Sequence, residues 1–463
     1  MSQIYLNPIH FVSALGFILI YLLTDVPDNF LIFLTNFLIL VMSYLGMMSN
    51  KDQPYSLTTL HYTFAFFFFG VIPLNDLSNG NIYWGAAQSV NEFYLIITNL
   101  LIVMGILAFW IGSMVKVHSF KFLPKVFSPK ISLKKFWIIV IFSVATFIIL
   151  YLNNFNINDF FFRGTVSVVV DDTFISMSQL ESQFFKYFIR PLPFIILVTY
   201  VYIYRLYKSA PSKLGKKRYF TLSAVFLLLL IVFSVLLVFP TSVPRFWAAT
   251  LYIPLFIIFT SFWNKPYRMQ ATILGSLLII MPFLDKFRNF DSNNFTWSID
   301  FNFMNHGHFD AYQNFSRVVE IDLVTYGSQL VATLLFFVPR SFWEEKPIGS
   351  GSTLAEAANY DVSNISMPLI AEGFINFGEI GVVIFMFIFG LILGNLDKVA
   401  WQIKKIGKQS LFVYYYYFLF GLVFFIMRGD LMSSLAYTIS LTASFLFVVY
   451  ILRILNYKFR FGL

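Results

Sequence analysis

Apolar runs of bilayer length dominate this chain and restrict its fold more than any other feature. A membrane-spanning helix needs roughly 20 apolar residues, and about a dozen stretches of the sequence approach that length. The chain is 58% hydrophobic and 12% charged, whereas soluble domains carry about 25% charged residues. The runs are continuous rather than alternating, which argues against a transmembrane β-barrel. We therefore predict an all-α, polytopic membrane protein that forms a single integral membrane domain over residues 1–463.

The runs predict about twelve transmembrane helices. Their predicted bounds are Ile9–Leu23, Phe30–Met48, Leu57–Leu74, Phe93–Met114, Phe136–Leu152, Phe188–Tyr207, Tyr219–Phe239, Trp247–Trp263, Met269–Leu284, Pro368–Leu393, Leu411–Met427 and Leu435–Leu455. The first run lacks both a positively charged start and a small-residue cleavage site. It is therefore interpreted as a retained span and not as a removed signal peptide.

Basic residues are distributed unevenly among the segments that connect these spans. If the N-terminus is inside, most of the 32 Lys and Arg residues fall on inner segments, where Asp52 and Asp397 are the acids. Cytoplasmic loops carry such a basic excess, so the pattern predicts that both termini face the cytoplasm. The net charge of +9 is then a topology signal and a contact for anionic lipid headgroups. It is not interpreted as a nucleic-acid-binding surface.

The longest polar segment, residues Arg288–Met367, is predicted to be a large extracytoplasmic (periplasmic) loop that contains short helices. Within this loop, Thr325–Val338 is apolar but too short to span the bilayer, which favours an interfacial or re-entrant helix. Pro339 ends that apolar run. Arg340 is then expected near the outer membrane surface, at the depth of the lipid phosphates.

Arginine is the commoner basic residue on the predicted outer side, whereas lysine prevails inside. A guanidinium binds phosphate or carboxylate through two parallel hydrogen bonds. The candidate anion-binding residues are Arg245, Arg288, Arg317, Arg340 and Arg428. Ten residues separate Arg340 from Gly351, and Gly349 and Gly351 are predicted to shape a loop whose N–H groups can hold an anion. Pairing with outer acids is the alternative, and Arg317 would share a helical face with Glu320.

The candidates for proton transfer are His306, His308, Asp310 and Glu372. A neutral histidine near a carboxylate can accept a proton from a hydroxyl group. Two histidines on a glycine-containing loop do not make a metal site without further ligands, so no metal is predicted. The chain has no cysteine and no nucleotide-binding motif. On a continuous helix, Glu372 and Glu379 would face roughly one direction, with Glu379 deeper in the membrane.

Three stretches carry a resemblance to a known family. They are Arg340 with Gly351, the sequence SMPLIAEGFINFG that starts at Ser366, and the turn Arg428-Gly-Asp430. Together with the large late outer loop, they resemble the Wzy-type O-antigen and capsular repeat-unit polymerases. The similarity covers about residues 307–394. A second arginine motif of that family has no clear counterpart here, because Arg163 lacks a glycine at the required spacing.

The resemblance implies a GT-C-like glycosyltransferase of the bacterial cytoplasmic (inner) membrane, with its active site on the extracytoplasmic side. The donor would be a growing glycan on undecaprenyl diphosphate, and the acceptor a lipid-linked repeat unit that receives it at the non-reducing end. No nucleotide sugar, metal or other cofactor is implied. The implied partners are these lipid-linked glycans, membrane lipids, a chain-length regulator, a flippase and a ligase, with no nucleic acid. Two alternatives stay open: an O-antigen ligase, and a lipid-linked glycan flippase or other secondary transporter.

Overall fold

The structure is a computed structural model that describes residues 29–49, 52–86, 88–128, 185–209, 216–280 and 307–454, together with the single residues 141 and 145. All regular elements in these ranges are helical. The α-helices are α1 Phe30–Met48, α2 Leu57–Phe64, α3 Ile72–Asn79, α4 Glu92–Met114, α5 Leu123–Val126, α6 Leu192–Ser209, α7 Lys216–Leu237, α8 Arg245–Phe259, α9 Arg268–Gly275, α10 Ala311–Glu320, α11 Ser328–Leu334, α12 Ser350–Ala357, α13 Leu369–Lys405, α14 Leu411–Arg428 and α15 Leu431–Ile454. The π-helical turns are Ala65–Val71, which joins α2 to α3, Phe185–Ile189 and Ser276–Ile280. Short 3₁₀ helices lie at His118–Phe122, Pro240–Ser242, Phe262–Asn264 and Gly307–Phe309.

In the described part of the chain, 8 helical segments are long and apolar enough to cross a membrane. They are Phe30–Met48, Leu57–Asn79, Glu92–Met114, Tyr187–Leu206, Val225–Ser242, Leu369–Lys405, Leu411–Arg428 and Leu431–Arg453. Each segment overlaps a predicted span. The all-helical, polytopic membrane character predicted from the sequence is therefore confirmed for these segments.

The other predicted spans are not established as crossings. Residues 9–23 lie outside the described residues, as do residues 136–152 apart from positions 141 and 145. The predicted span Trp247–Trp263 corresponds to α8, an apolar helix that is shorter than the others. Met269–Leu284 begins as α9 and continues as the π-helical turn Ser276–Ile280.

Helices α4 and α13 form an extensive interface between long helices. A Cβ atom on Gly390 would lie 2.1 Å from the Phe109 carbonyl oxygen, and one on Gly394 would lie 2.4 Å from the Ser113 carbonyl oxygen. Membrane helices gain little from the hydrophobic effect and associate through close van der Waals packing of small residues. These two glycines therefore allow the α4 and α13 backbones to approach each other closely.

Helix α13 is broken near its first turns. Phe377 has φ −145° and ψ 24°, and Gly378 has φ 62° and ψ −149°, a conformation accessible essentially only to glycine. The break separates residues 369–376 from the rest of the helix. Glu372, before the break, is completely buried, whereas Glu379, after it, is exposed. The prediction that the two acids face one direction on a continuous helix is wrong, because the helix is broken between them.

Asp397 joins three helices at the end of the bundle opposite to residues 307–367. Its carboxylate accepts hydrogen bonds from the Leu57 N–H at 2.8 Å, the Thr58 N–H at 2.9 Å and the Tyr416 hydroxyl at 2.5 Å. A negative charge at a helix N-terminus is stabilised by the unpaired N–H groups of the first turn. Asp397 of α13 therefore fixes the start of α2 and the first turns of α14.

Candidate functional site

The turn Arg428-Gly429-Asp430, between α14 and α15, is the place where most of the described candidate residues meet. Segments from three other parts of the chain contact this turn. The predicted site residues found here are His308, Asp310, Gly349, Gly351, Glu372 and Arg428. Residues that are up to 122 positions apart in the sequence thus form one cluster at the C-terminal end of α14.

The Arg428 guanidinium is held on one side by the segment before α10. Its Nε and Nη2 atoms donate hydrogen bonds of 3.1 and 2.6 Å to the His308 carbonyl oxygen. Nη2 also lies 3.5 Å from Oδ1 of Asp310, and the Arg428 side chain is 27% exposed. Among the described residues, Nη1 of Arg428 donates no hydrogen bond. The His308 carbonyl group orients the guanidinium and Asp310 pairs with one side of it, so Nη1 is the atom through which Arg428 can bind an anion.

Asp310 is completely buried, and both of its carboxylate oxygens are occupied. Oδ1 accepts a hydrogen bond from the Ser366 hydroxyl at 2.5 Å. Oδ2 accepts hydrogen bonds from Trp84 Nε1 at 3.0 Å, Asn314 Nδ2 at 2.9 Å and the Ser366 N–H at 3.2 Å. The contacts favour a role in holding Arg428 and the neighbouring loops over the predicted role as a base.

Trp84 is a site residue that the sequence analysis missed. It has a left-handed backbone, with φ 64°, which is uncommon for a bulky residue and requires support from its surroundings. The hydrogen bond from its indole to Asp310 provides such support. A Cβ atom on Gly307 would lie only 2.5 Å from the Trp84 ring. Trp84 therefore brings the loop between α3 and α4 into the site.

Glu372, which is completely buried, and Asp430, which is half-buried, are neighbouring carboxylates at two helix N-termini. Glu372 accepts hydrogen bonds from the Ser350 hydroxyl at 2.8 Å and from the Leu431 N–H at 2.9 Å. Oδ2 of Asp430 accepts one from the Gly351 N–H at 3.3 Å. Among the described residues, no Lys or Arg forms an ion pair with either carboxylate. The first turns of α12 and α15 therefore hold this pair without a neutralising cation.

Asp430 was not among the predicted site residues, although it follows Arg428 in the same turn. Burial raises the pKa of its carboxyl group, and hydrogen bonds from the N–H groups of Ser433 and Gly351 oppose that rise. A Cβ atom on Gly349 would lie 2.5 Å from Oδ2 of Asp430. The predicted loop-shaping role of Gly349 therefore has a physical basis, since any side chain there would displace the carboxylate.

Arg340 and Lys346 form a second basic feature in the loop that leads to Gly349. Nη1 of Arg340 donates a hydrogen bond of 2.6 Å to the Lys346 carbonyl oxygen. Nζ of Lys346 in turn donates to the carbonyl oxygens of Phe336 and Val338, at 2.8 and 2.9 Å. Burial and the nearby Arg340 both lower the pKa of Lys346. Neither cation pairs with a carboxylate of the described chain. Lys346 is buried, so Arg340, which is half-buried, is the one of the two that an anion can reach.

Arg317 is placed differently from Arg340 and Arg428. Its Nη1 atom lies 2.5 Å from Oε2 of Glu320, and its Nη2 atom donates a hydrogen bond of 2.6 Å to the Gln88 carbonyl oxygen. The alternative of a pair with Glu320 on one face of a helix is confirmed. Because a carboxylate already binds the guanidinium, Arg317 is the least suited of the described arginines to bind a phosphate group.

Arg245 is half-buried and begins α8. The ring of its neighbour Phe246 stacks on the ring of Phe425 in α14, with centroids 3.6 Å apart. Since Phe425 lies one helical turn before Arg428, this contact places the start of α8 at the Arg428 end of α14. The two remaining predicted site residues, His306 and Arg288, lie outside the described residues.

Asp76 is a second acid that the sequence analysis missed. Its buried carboxylate accepts a hydrogen bond of 2.7 Å from the Tyr83 hydroxyl and one of 3.1 Å from Nε2 of Gln313. Gln313 lies on α10, so Asp76 joins the end of α3 to the helix that follows Asp310. Its position as the single acid in the apolar run 57–79 was an available signal, because acids in such runs usually have a specific partner or role.

Within the ranges that the structure describes, no group of three or more His, Asp or Glu side chains is placed to hold a metal ion. The described cluster instead combines the Arg428 guanidinium group, which can bind an anion, with carboxylates, which can exchange a proton. Comparisons of the chain with models of protein families, with curated proteins and with solved structures find no match.

Proposed function

We propose that this chain polymerises undecaprenyl-diphosphate-linked oligosaccharide repeat units into O-antigen or capsular polysaccharide at the extracytoplasmic face of the bacterial cytoplasmic membrane. One observation carries the proposal: the stretches that resemble the Wzy-type polymerases are brought into contact. Gly351 lies against Asp430, and Glu372, in the stretch that begins at Ser366, binds the Leu431 N–H. Contacts between distant stretches are expected if the three stretches serve one site.

The proposed reaction forms one glycosidic bond and breaks one bond to phosphate. A hydroxyl oxygen at the non-reducing end of the acceptor attacks the anomeric carbon of the donor glycan. The bond between that carbon and the diphosphate oxygen breaks, and undecaprenyl diphosphate leaves with the electron pair. A base on the protein takes the proton of the hydroxyl group. The charge that develops on the diphosphate requires cationic hydrogen-bond donors.

Arg428 and Arg340 are the proposed diphosphate ligands. Both are oriented by backbone carbonyl groups. In the described chain Arg340 forms no ion pair with a carboxylate, and Arg428 forms one, with Asp310 at 3.5 Å. Preorganised donors of this kind lose little freedom when the anion binds. Arg245, at the same end of the bundle as Arg428, is proposed as a further contact. Arg317 is assigned a structural role, since Glu320 already binds it.

Glu372 is the proposed general base among the described candidates. Each of its oxygens accepts one hydrogen bond, so lone pairs remain for a proton, whereas the oxygens of Asp310 are occupied by several donors. Asp430 lies beside Glu372. Two adjacent carboxylates repel each other when both are charged, so uptake of one proton by the pair is favourable.

The test compares arginine variants in a strain in which the chromosomal copy is deleted and each variant is supplied at normal expression. We expect Arg340→Ala and Arg428→Lys to abolish long glycan chains and to leave single repeat units on the cell surface. The lysine variant keeps the charge at position 428 but cannot form two parallel hydrogen bonds to phosphate. Purified wild-type protein should polymerise lipid-linked repeat units without an ion gradient.

Arg268→Ala is the matched control, because Arg268 begins α9 on the predicted inner side, where it lies over the ring of Phe262. It should leave the chain-length distribution unchanged. Wild-type chain lengths in both the Arg340 and the Arg428 variants would refute the proposed role of these residues. If deletion removes all surface glycan, including single repeat units, the ligase alternative replaces the polymerase. A strict requirement for an ion gradient would favour a transporter.

A further inference from the structure

The segment around α11, residues 326–342, has its polar and apolar sides reversed relative to a helix on a water-exposed surface. The buried residues of α11 are Gln329, Ala332 and Thr333. Its exposed residues include Val331 and Leu334. A helix at a water-exposed surface normally buries its apolar face and exposes its polar one. The apolar residues of this segment therefore lie where a partner or a lipid phase can contact them.

The apolar exposure extends beyond α11 on both sides. Tyr326, before the helix, is 88% exposed, and after it Phe337 is 66% and Phe342 is 84% exposed. Single exposed apolar residues need no explanation, but a contiguous group of large ones marks an interaction surface. We call residues Tyr326, Val331, Leu334, Phe337 and Phe342 the α11 surface.

Hydrogen bonds fix the α11 surface beside the break in α13. The Thr325 N–H donates to the Ile375 carbonyl oxygen at 2.7 Å, and the Leu330 N–H donates to Oδ1 of Asn376 at 2.7 Å. Gly327, with φ 87°, would bring a Cβ atom within 3.0 Å of the Phe377 ring. The start of α11 is therefore in contact with residues 375–377, where the long membrane-spanning part of α13 begins.

The outward face of α13 after the break is a row of isoleucines. Ile380, Ile384, Ile388 and Ile392 are all exposed, and their spacing of four residues puts them on one side of the helix. In a helix long and apolar enough to span a membrane, such a row faces lipid. The α11 surface adjoins the upper end of this row, so the two form one continuous apolar boundary.

We propose that the α11 surface is immersed in the acyl-chain region of the outer leaflet, as a monotopic membrane contact of the extracytoplasmic loop. Two cations follow it, Arg340 and Lys346, both bonded to carbonyl groups and not to carboxylates in the described chain. Lipid phosphates complement such cations at the edge of an apolar surface. The exposed acids Glu344 and Glu345 then lie on the water side. The proposal concerns membrane contact alone and does not depend on the catalytic assignment.

The experiment uses the absence of cysteine in the natural chain. Single cysteines are introduced as Leu334→Cys and Phe337→Cys in the full-length protein, labelled with a fluorescent probe and reconstituted into phospholipid nanodiscs. Ile384→Cys serves as the lipid-facing reference, and Glu345→Cys and Glu356→Cys, at two exposed acids, serve as water-facing references. Each label is quenched separately by nitroxide-labelled phosphatidylcholine and by iodide.

We expect the labels at 334 and 337 to be quenched several-fold more by the nitroxide lipid than by iodide, as at position 384. Labels at 345 and 356 should show the opposite preference. Because all five positions are exposed, the substitutions leave packing intact, which a normal elution profile verifies for each variant. Iodide preference at 334 and 337, or protection from both quenchers, overturns the proposal. The chain-length phenotype of the Arg340 and Arg428 variants is measured independently and is unaffected by either result.

Discussion

Replacement of Asp310 gives the most direct measure of how the candidate site is held together. The carboxylate accepts hydrogen bonds from Trp84, Asn314 and Ser366 and lies 3.5 Å from the Arg428 guanidinium. In Asp310→Ala all of these acceptors disappear. Asn314 retains a bond to the Ser366 carbonyl oxygen, and Arg428 retains its bonds to His308. The Trp84 indole N–H, the Ser366 N–H and the Ser366 hydroxyl lose their acceptor.

The expected loss of stability follows from the two N–H donors, one buried and one half-buried, because the hydroxyl group can rotate toward another acceptor. Each unsatisfied buried donor costs about 1–3 kcal/mol, so Asp310→Ala should lower the free energy of unfolding by roughly 2–6 kcal/mol. Asp310→Asn keeps one side-chain oxygen. This oxygen can accept the hydrogen bonds that Oδ2 of Asp310 accepts in the wild type. The substitution places an N–H₂ group opposite Arg428 in place of a carboxylate oxygen, so a smaller loss, about 1–3 kcal/mol, is expected.

The measurement is the unfolding of purified protein in mixed micelles as the fraction of denaturing detergent is raised. Asp322→Asn is the matched control, because Asp322 is an exposed acid of the same loop with a left-handed backbone, φ 50°, which asparagine tolerates. It should change the free energy of unfolding by less than about 0.5 kcal/mol. If Asp310→Ala is as stable as this control, the structural role is refuted. If Asp310→Asn is fully stable but inactive, Asp310 is a base after all.

Two further predictions concern the turn at residues 428–430 and the loop that contacts it. Gly351→Ala should strongly reduce the yield of folded protein by size-exclusion chromatography, because its Cβ atom would lie 2.3 Å from the Ile365 carbonyl oxygen; Gly275→Ala, which meets no atom within 4 Å, should elute normally. Burial raises the pKa of folded Asp430 above its unfolded value, so its contribution to stability is present at acid pH and is lost as pH rises through the folded pKa. The stability of Asp430→Asn relative to wild type should therefore improve from acid to neutral pH in detergent unfolding curves, and a difference that is independent of pH would contradict the raised pKa.

Local features of the site could be predicted because they depend on residues close in sequence. The Arg317–Glu320 pair is one such case, since two residues three positions apart on a helix face each other whatever the rest of the fold. The loop-shaping role of Gly349 was predicted from the sequence. That the Asp430 carboxylate occupies the space beside this glycine was not predicted. In the turn at 428–430, Arg428 was predicted as a site residue and Asp430 was not. An Asp immediately before a helix is a common N-cap, so a signal for Asp430 was available.

The prediction that Glu372 and Glu379 face one direction is wrong for a related reason. Helical periodicity assumes a continuous helix, and the glycine at 378 was not interpreted as a break. Asp76, Trp84 and Ser366 were missed because their importance depends on partners far away in sequence. A single sequence does not state which distant polar groups share a buried site.

The amino-acid sequence by itself determined that this chain enters a membrane as a bundle of helices, because bilayer thickness and the need to satisfy every backbone hydrogen bond leave long apolar runs few other structures. It also indicated that the polar chemistry lies in the segment before α13. The tertiary structure decided which charges are available there. Glu320 forms an ion pair with Arg317, and carbonyl groups orient Arg340 and Arg428. The carboxylates of Glu372 and Asp430 lie beside each other. These outcomes depend on three-dimensional distances of a few ångströms, over which electrostatic and hydrogen-bond energies change sharply.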